Sequence, residues 1–421
     1  MVNILIQYRG LFVRPKEKVS KKFDVVIIGA GAVGLTASIN LAQAGFSVGL
    51  IERGTLNDMM PDVLEDGHTT ALMSGSLKPL REIGALSLIE KFTQPMDVLR
   101  IMSEKDGQLI PADFKASELG KKSFGLNVPQ TPLRAALTQR ATKTEGLEIF
   151  EQACVTHFTA GDPDAVIEIE QGGKIFSVSA KLVIAADGRR SSMRDMVEIE
   201  IDERIYGQKA LTFMVEHTKP HENISTEIHK KGGPLTFVPL PNNCSAVVWV
   251  HLEDEADNLL KLKKQELEAK LQDQSNGILG RLSVKTSVRA WPLSSLKAKT
   301  LHAPRLVLIG ETAHAFSPVG AQGLNLSLRD VEVLTSTLLK AAKLGQDIGG
   351  SVILESYAKS RRLDMEGRFY GVDFLNKLIR RDSPLEKDMR GLGLDVVSNI
   401  SPLKHYLMRE GMSPQIDKEA I

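Results

Sequence analysis

The chain has 421 residues, 42% of them hydrophobic and 25% charged, with a formal net charge of +1 at pH 7. That length and apolar fraction suffice for a large core shared by two interleaved domains, and the near-neutral balance gives no electrostatic case for a nucleic-acid partner. No run reaches the roughly 18–20 apolar residues of a membrane span.

In chain order, residues 1–22 read as an N-terminal extension, basic with Glu17 as its one acid, and Val2 to Ile6 is too short for a signal-peptide core. Phe23 to Ile28 then reads as a buried strand, followed by Gly29-Ala30-Gly31-Ala32-Val33-Gly34 and a helix from Val33 to Ala44 that Gly45 closes. Gly29 permits the tight turn, Gly31 lets a pyrophosphate approach the main chain, and Gly34 lets helix and strand pack closely. The helix start at Ala32 and Val33 offers free N–H groups. A second strand, Ser47 to Ile51, ends in Glu52, 18 residues beyond Gly34. That is near the spacing of about 20 at which an acid accepts hydrogen bonds from an adenosine ribose. A dinucleotide site is therefore expected, with NAD and FAD both open at this point.

Asp97 to Phe114 reads as a hairpin around Lys105-Asp106-Gly107. Leu182 to Ala186 is a buried strand running into Asp187-Gly188. Leu211 to Val215, Pro234 to Leu240 and Cys244 to Leu252 read as strands of an antiparallel roof, and Glu253 to Gln272 as one charged helix with Leu259, Leu262 and Leu267 inside. Phe213, Phe237 and Trp249 could line a pocket but read better as plain core. Leu306 to Ile309 is a further buried strand, running into Gly310-Glu311. A loop to Gln322 follows, then a helix from about Asn325 with Leu328, Val331, Leu334 and Leu338 on one face. A second helix N-terminus of this kind suits a flavin, whose reduced ring carries negative charge, better than NAD.

The string Gly310-Glu311-Thr312-Ala313-His314-Ala315-Phe316-Ser317-Pro318-Val319-Gly320-Ala321-Gln322-Gly323-Leu324-Asn325-Leu326, with Arg329-Asp330-Val331 behind it, resembles the flavin-cradling signature of the para-hydroxybenzoate hydroxylase fold. Within those class A flavoprotein monooxygenases it is most similar to the branch that hydroxylates ubiquinone precursors. Thr70-Ala71-Leu72, Leu133-Arg134-Ala135-Ala136-Leu137, Asp187-Gly188-Arg189-Arg190-Ser191 and Pro402-Leu403 belong to the same resemblance, which runs from about Phe23 to the C-terminal region. It implies that Gly29, Gly31 and Gly34 hold the pyrophosphate of FAD and Glu52 its ribose, with Arg53 just beyond. Arg134, on a helix opening at Pro132, matches a position that contacts the ribityl or pyrophosphate segment. Asp187 and Gly188 match the motif that touches flavin and nicotinamide, Glu311 stands where relatives carry Asp, and Pro318, Gly320, Gly323, Leu324 and Asn325 would line the ring. His68 stands where relatives often carry Arg, and imidazole does not replace a guanidinium fork.

The fold implied is α/β: a Rossmann-like FAD-binding domain (residues 23–95, 120–200 and 300–367) interleaved with an antiparallel-sheet substrate domain (96–119 and 201–299), plus C-terminal helices from 368 to 421. The chemistry implied is hydroxylation of a polyprenyl phenol in ubiquinone biosynthesis, using O2, NADH or NADPH, and a hydroperoxide at flavin carbon C4a. It asks for no metal and no nucleophile, and the chain offers no Cys-x-x-Cys, His-Glu-x-x-His or Gly-x-Ser-x-Gly string. No catalytic side chain is identifiable; Pro318 and His314 are the only candidates, and His314 reads as structural.

A lipid-like phenol fits better than an anionic acid, because no arginine clamp shows in the roof strands. A soluble phenol, a lipid reductase of the same fold and a non-catalytic flavin scaffold are the alternatives. The basic amphipathic pieces after Arg368 and in Pro402 to Met412 suit either a membrane surface or a helix packed on the body or a neighbouring subunit. The expected place is cytoplasmic, peripheral on the inner membrane, with a ubiquinone-biosynthesis complex as a partner. Other basic pairs, Arg361-Arg362 among them, read as solvated faces, and Cys154 and Cys244 as buried free thiols of a reducing compartment.

Overall fold

A computed structural model of the chain describes residues 19–380 apart from 58, 62–63, 65–66, 106–107, 231–232 and 317–321. The first strand, β1 (Lys21–Ile28), leads through the glycine turn into α1 (Ala32–Gln43), and β2 (Val48–Ile51) returns parallel to β1 with Val25 opposite Val48. These strands are continuous apolar runs because both faces of the sheet are covered. The chain next makes β3 (Thr69–Met73), α2 (Lys78–Glu82), α3 (Ala85–Ile89) and β4 (Gln94–Met96). It leaves for the hairpin β5 (Val98–Lys105) and β6 (Gln108–Lys115), then returns through β7 (Gly125–Pro129) and α4 (Gln130–Ala141).

β8 (Leu147–Phe150) adds parallel to β2. A meander of β9 (Ala153–Thr159), β10 (Ala165–Gln171) and β11 (Lys174–Ala185) delivers β11 parallel to β1, and α5 (Ser192–Met196) follows. The roof is then built from β12 (Ile201–His217), β13 (Ile224–Lys230), β14 (Gly233–Leu240) and β15 (Cys244–Leu252). Two helices come next, α6 (Glu253–Leu260) and α7 (Lys264–Gln274), and then β16 (Leu282–Val284) and β17 (Arg289–Ala298). Finally β18 (His302–Ala303), β19 (Leu306–Leu308) and β20 (His314–Ala315) precede the long helices α8 (Gln322–Lys343) and α9 (Ser351–Arg380).

Three sheets result among the described residues. The floor has eight strands, ordered β18-β19-β11-β1-β2-β8 with β10 and β9 beyond β11; the roof has nine, ordered β20-β17-β12-β15-β14-β13-β5-β6 with β16 on β12; a three-stranded sheet, β3-β7-β4, joins them. The mixed α/β expectation is met, with two corrections. The roof is not wholly antiparallel: β5 rises from the floor in the same direction as β13 and pairs with it in parallel, filling the edge that β14 leaves open. The single charged helix is two, because Lys263 takes an extended conformation (φ −68°, ψ 153°) and its N–H bonds the Glu266 carboxylate at 2.8 Å, starting α7 afresh.

The two faces of the roof differ. Leu211, Phe213, Leu235, Phe237, Val247 and Trp249 pack under α6 and α7 as one buried cluster. Phe213, Phe237 and Trp249 are thus core. The opposite face meets the floor: Met96, Val238, Leu240 and Ala246 cluster with Ala71 and Leu64, and the Asn127 amide donates to the Pro239 carbonyl at 2.9 Å. At Gly67 the two bodies touch main chain to main chain, and a Cβ there would lie 2.1 Å from the Phe213 carbonyl carbon.

Two readings of surface chemistry are corrected. Cys154 is exposed and Cys244 half-buried, both free. Arg361 is only 2% exposed, drawn into the core by ion pairs with Asp330 and Asp364, while Arg362 is exposed as expected.

Candidate functional site

The three glycine turns, far apart in sequence, meet in space. Gly29 has φ +101°, and a Cβ on it would stand 2.5 Å from the Ala186 carbonyl and 2.8 Å from Asp187 Cα, so the first turn rests against the second. Gly310, at φ +62°, lies against the Val33 side chain, so the third turn rests on the start of α1. Thr312 closes the circle: its hydroxyl donates to Asp187 Oδ1 at 3.2 Å and accepts the Gly188 N–H at 2.9 Å.

Inside this circle the glycines divide by what surrounds them. A Cβ on Gly34 would fall 1.9 Å from the Gly29 carbonyl oxygen, which is packing. A Cβ on Gly31, Gly188 or Gly323 would meet nothing within 4 Å, so open space stands beside each. Gly31 is also the N-cap of α1, and that helix has neither a side-chain cap nor an acid in its first turn. Uncapped N–H groups at a helix start facing open space are what a diphosphate requires. The residues present therefore fit a dinucleotide.

The predicted site residues fall as follows. Glu52 is half-buried at the end of β2, accepting the Ala30 N–H at 2.6 Å and the Gly54 N–H at 2.9 Å, which fixes its carboxylate beside the turn; Arg53 is exposed. Arg134 is exposed on α4, which opens at Gln130 rather than Pro132. The Asp187 carboxylate is occupied by Ser191 Oγ at 2.6 Å, Met193 N at 3.1 Å and Thr312, so it braces the second turn and α5. Glu311 is exposed within a single 3₁₀ turn. Asn325 is buried and stitches α8 to β3, accepting from Met73 N and donating to the Ala71 carbonyl, both at 2.8 Å. Leu324 is half-buried beside it. Pro318 and Gly320 lie outside the described residues.

His314 is fully buried and serves the scaffold. Its Nε2 lies 2.7 Å from Asp330 Oδ2, the same oxygen that accepts the Gly310 N–H at 3.0 Å, and Arg361 Nε meets Oδ1 at 2.8 Å. Burial alone would push the Asp330 carboxyl up, but the charges of His314 and Arg361 and the hydrogen bonds outweigh it and hold it at about 2. One carboxylate thereby ties the third turn, β20, α8 and α9 together. His68, the departure from the family pattern, stacks on Trp291 of the roof with ring centroids 5.1 Å apart, while Trp291 Nε1 donates to Thr212 at 2.9 Å. Among the described residues no group of three or more His, Cys, Asp or Glu could hold a metal ion, and no helix is long and apolar enough to cross a membrane.

With this geometry in hand, the model of the FAD binding domain family matches residues 22–367. The chain belongs to that family. FAD is its cofactor, with NAD(P)H as the family's usual reductant. Ubiquinone hydroxylase UbiL of Rhodospirillum rubrum is 31% identical over 392 residues, covering 93% of this chain and 90% of that protein. The 3-demethoxyubiquinol 3-hydroxylase of Escherichia coli is 26% identical over 387 residues, covering 92% and 97%. Among solved structures, the p-nitrophenol 4-monooxygenase of Pseudomonas putida superposes with a TM-score of 0.76 at 18% identity, covering 94% of this chain and all of that one, which shows the shared fold.

Proposed function

We propose that this protein is an FAD-dependent monooxygenase that hydroxylates the aromatic ring of a polyprenyl phenol in ubiquinone biosynthesis, with NADH or NADPH as reductant and O2 as the oxygen source. The observation that carries it is the contact of three remote glycine turns with one another beside the uncapped start of α1, in a chain whose relatives are ubiquinone hydroxylases along nearly their whole length.

Bound FAD would supply the redox chemistry, hydride acceptance and oxygen activation. The protein's part is to bind, orient and exclude water. The α1 N-terminus and the open backbone at Gly31 hold the diphosphate, and the Glu52 carboxylate accepts from the ribose. Gly310, clamped by Asp330, and α8, clamped by Asn325, fix the far end of the site to the same frame. The roof closes over it through Gly67, His68 and Trp291.

The lipid character of the substrate is supported by relatives named as ubiquinone hydroxylases and by the absence of an arginine clamp in the roof strands. Peripheral membrane contact through residues beyond 380, which lie outside the described part, belongs to the same proposal. The test is purified, FAD-loaded protein given NAD(P)H, ¹⁸O2 and a short-chain prenyl phenol: one ¹⁸O atom enters the ring. NAD(P)H oxidation that yields only hydrogen peroxide with every prenyl phenol, but oxygenates an unprenylated one, would sink the polyprenyl reading.

A further inference from the structure

Resting on that reading, we propose that His229, held by Glu227, is the base that takes the substrate's phenolic proton. Both residues lie on β13, on the roof face opposite α6 and α7: their neighbours Thr226 and Ile228 are buried, with Ile228 in the α6–α7 cluster, and strand alternation turns Glu227 and His229 the other way, toward the floor. His229 Nε2 stands 2.5 Å from Glu227 Oε1, and Thr236 Oγ1 is 3.5 Å from the other carboxylate oxygen. A carboxylate only accepts, so Nε2 carries the hydrogen and Nδ1 is left as the lone-pair nitrogen. Nδ1 has no hydrogen-bond partner among the described residues.

This is the arrangement of a base oriented by an acid. Both side chains are part-exposed (17% and 26%), so the pair is reachable from outside the sheet. The cross-strand neighbours on the same face are Ile101 and Ser103 of β5 and Pro234 and Thr236 of β14, none of them ionisable. Burial raises the Glu227 carboxyl, but the hydrogen bond and charge of His229 and the Thr236 hydroxyl outweigh it and lower it below the usual range, which favours the carboxylate form beside the imidazole. The cross-strand row Glu227, Thr236, Val248, Thr212 leads to the Trp291 that stacks on His68. Three strand spacings make that row about 14 Å long.

In the step proposed, the phenol O–H bond breaks, its proton forms a bond to Nδ1, and the electron pair stays on the phenolate oxygen, raising the electron density of the ring for oxygen attack. The proton then leaves from the part-exposed imidazolium to solvent. No oxidant beyond the O2 of the parent reaction is involved.

The test uses FAD-loaded wild type, His229→Gln and Glu227→Gln, reading flavin content, the rate of flavin reduction by NAD(P)H, and oxygenated product per NAD(P)H between pH 6 and 9. In His229→Gln, flavin content and reduction stay within twofold of wild type, while product formation at pH 7 falls about 100-fold, the lower end of what a positioned base supplies. The loss shrinks as pH rises toward the phenol's own ionisation near 10. Glu227→Gln keeps the imidazole, loses less, and shifts the acid limb of the profile. A wild-type coupling ratio and pH profile in either flavin-loaded variant overturns the proposal. Wild-type protein that oxygenates no phenol overturns instead the function on which it rests.

Discussion

The floor and the roof of this molecule are built on different physics. In the floor, function is carried largely by main chain: glycines let one backbone approach another, or leave room for a ligand to do so, and the side chains around them are buried apolar core tied by a few polar braces, Glu52, Asp187, Asn325 and Asp330. In the roof, the main chain is an ordinary pleated sheet, and the alternation of side chains decides everything, with a packed aromatic face under α6 and α7 and a mixed polar face toward the floor. A steric demand on one residue leaves a mark in the sequence. A demand on every second residue of a half-buried strand leaves a much fainter one.

The largest effect should come from Gly34→Ala. Its methyl would be driven to 1.9 Å from the Gly29 carbonyl oxygen, a contact that only backbone movement relieves. We expect loss of bound flavin and more than about 4 kcal/mol of stability, read by flavin absorbance after gel filtration and by urea unfolding. Retention of flavin at wild-type stoichiometry would break the claim that the floor depends on backbone sterics. The matching roof variant is Phe213→Ala, which empties a wholly buried site between the sheet and α6–α7 at a cost of about 3–5 kcal/mol. The two differ in readout: enough folded Phe213→Ala protein at low temperature should still bind FAD, whereas Gly34→Ala should not.

Legibility follows the same division. β1, the glycine turn, α1 and β2 were readable because a wholly buried parallel strand is a continuous apolar run and Gly29 and Gly310 take positive φ. Glu52 was readable because its spacing is set by one helix and one strand. The Asp330 network was not, since it joins Gly310, His314 and Arg361 across three elements, and no spacing within a single helix announces a carboxylate shared among them. The break between α6 and α7 was hidden by uniformly charged composition. β13 was missed although Ile224, Thr226 and Ile228 alternate with Ser225, Glu227 and His229, because polar residues on a cavity face weaken the apolar signal by which strands are found.

Next in size is the clamp between the two bodies. Arg361→Met leaves the buried Asp330 carboxylate with His314 as its nearest counter-charge, and removing one partner of a buried pair costs about 3–5 kcal/mol. The pH dependence has a definite sign. Because the folded-state pKa of Asp330 is depressed from 3.8 to about 2, its contribution is fully present above pH 4 and disappears as pH falls from about 4 to about 2. A shift of that size corresponds to about 2 kcal/mol. Acid unfolding of wild type and Asp330→Asn compared at fixed temperature checks it: the variant should be less stable at pH 6, and the gap should narrow by about 2 kcal/mol toward pH 2. A constant gap would show that Asp330 acts by packing alone.

The smallest effect, and the sharpest test of the division among the floor glycines, is Gly31→Ala. Here the new methyl meets no protein atom within 4 Å, and the residue already has φ −68°, so neither crowding nor backbone strain penalises the folded protein. Its stability without FAD should stay within about 0.5 kcal/mol of wild type. The methyl does occupy the space that a diphosphate would take beside the uncapped N–H groups of α1, so FAD affinity should fall by about tenfold, or about 1.4 kcal/mol. Titration of FAD-stripped protein by flavin fluorescence measures this, with Gly367→Ala as the comparison, another glycine whose Cβ meets nothing within 4 Å and whose φ is not positive, on α9 rather than at the start of α1. Unchanged affinity in Gly31→Ala would place the diphosphate elsewhere in the circle of turns, and would shift the candidate site toward Gly188 and Gly323, where a Cβ also meets nothing within 4 Å.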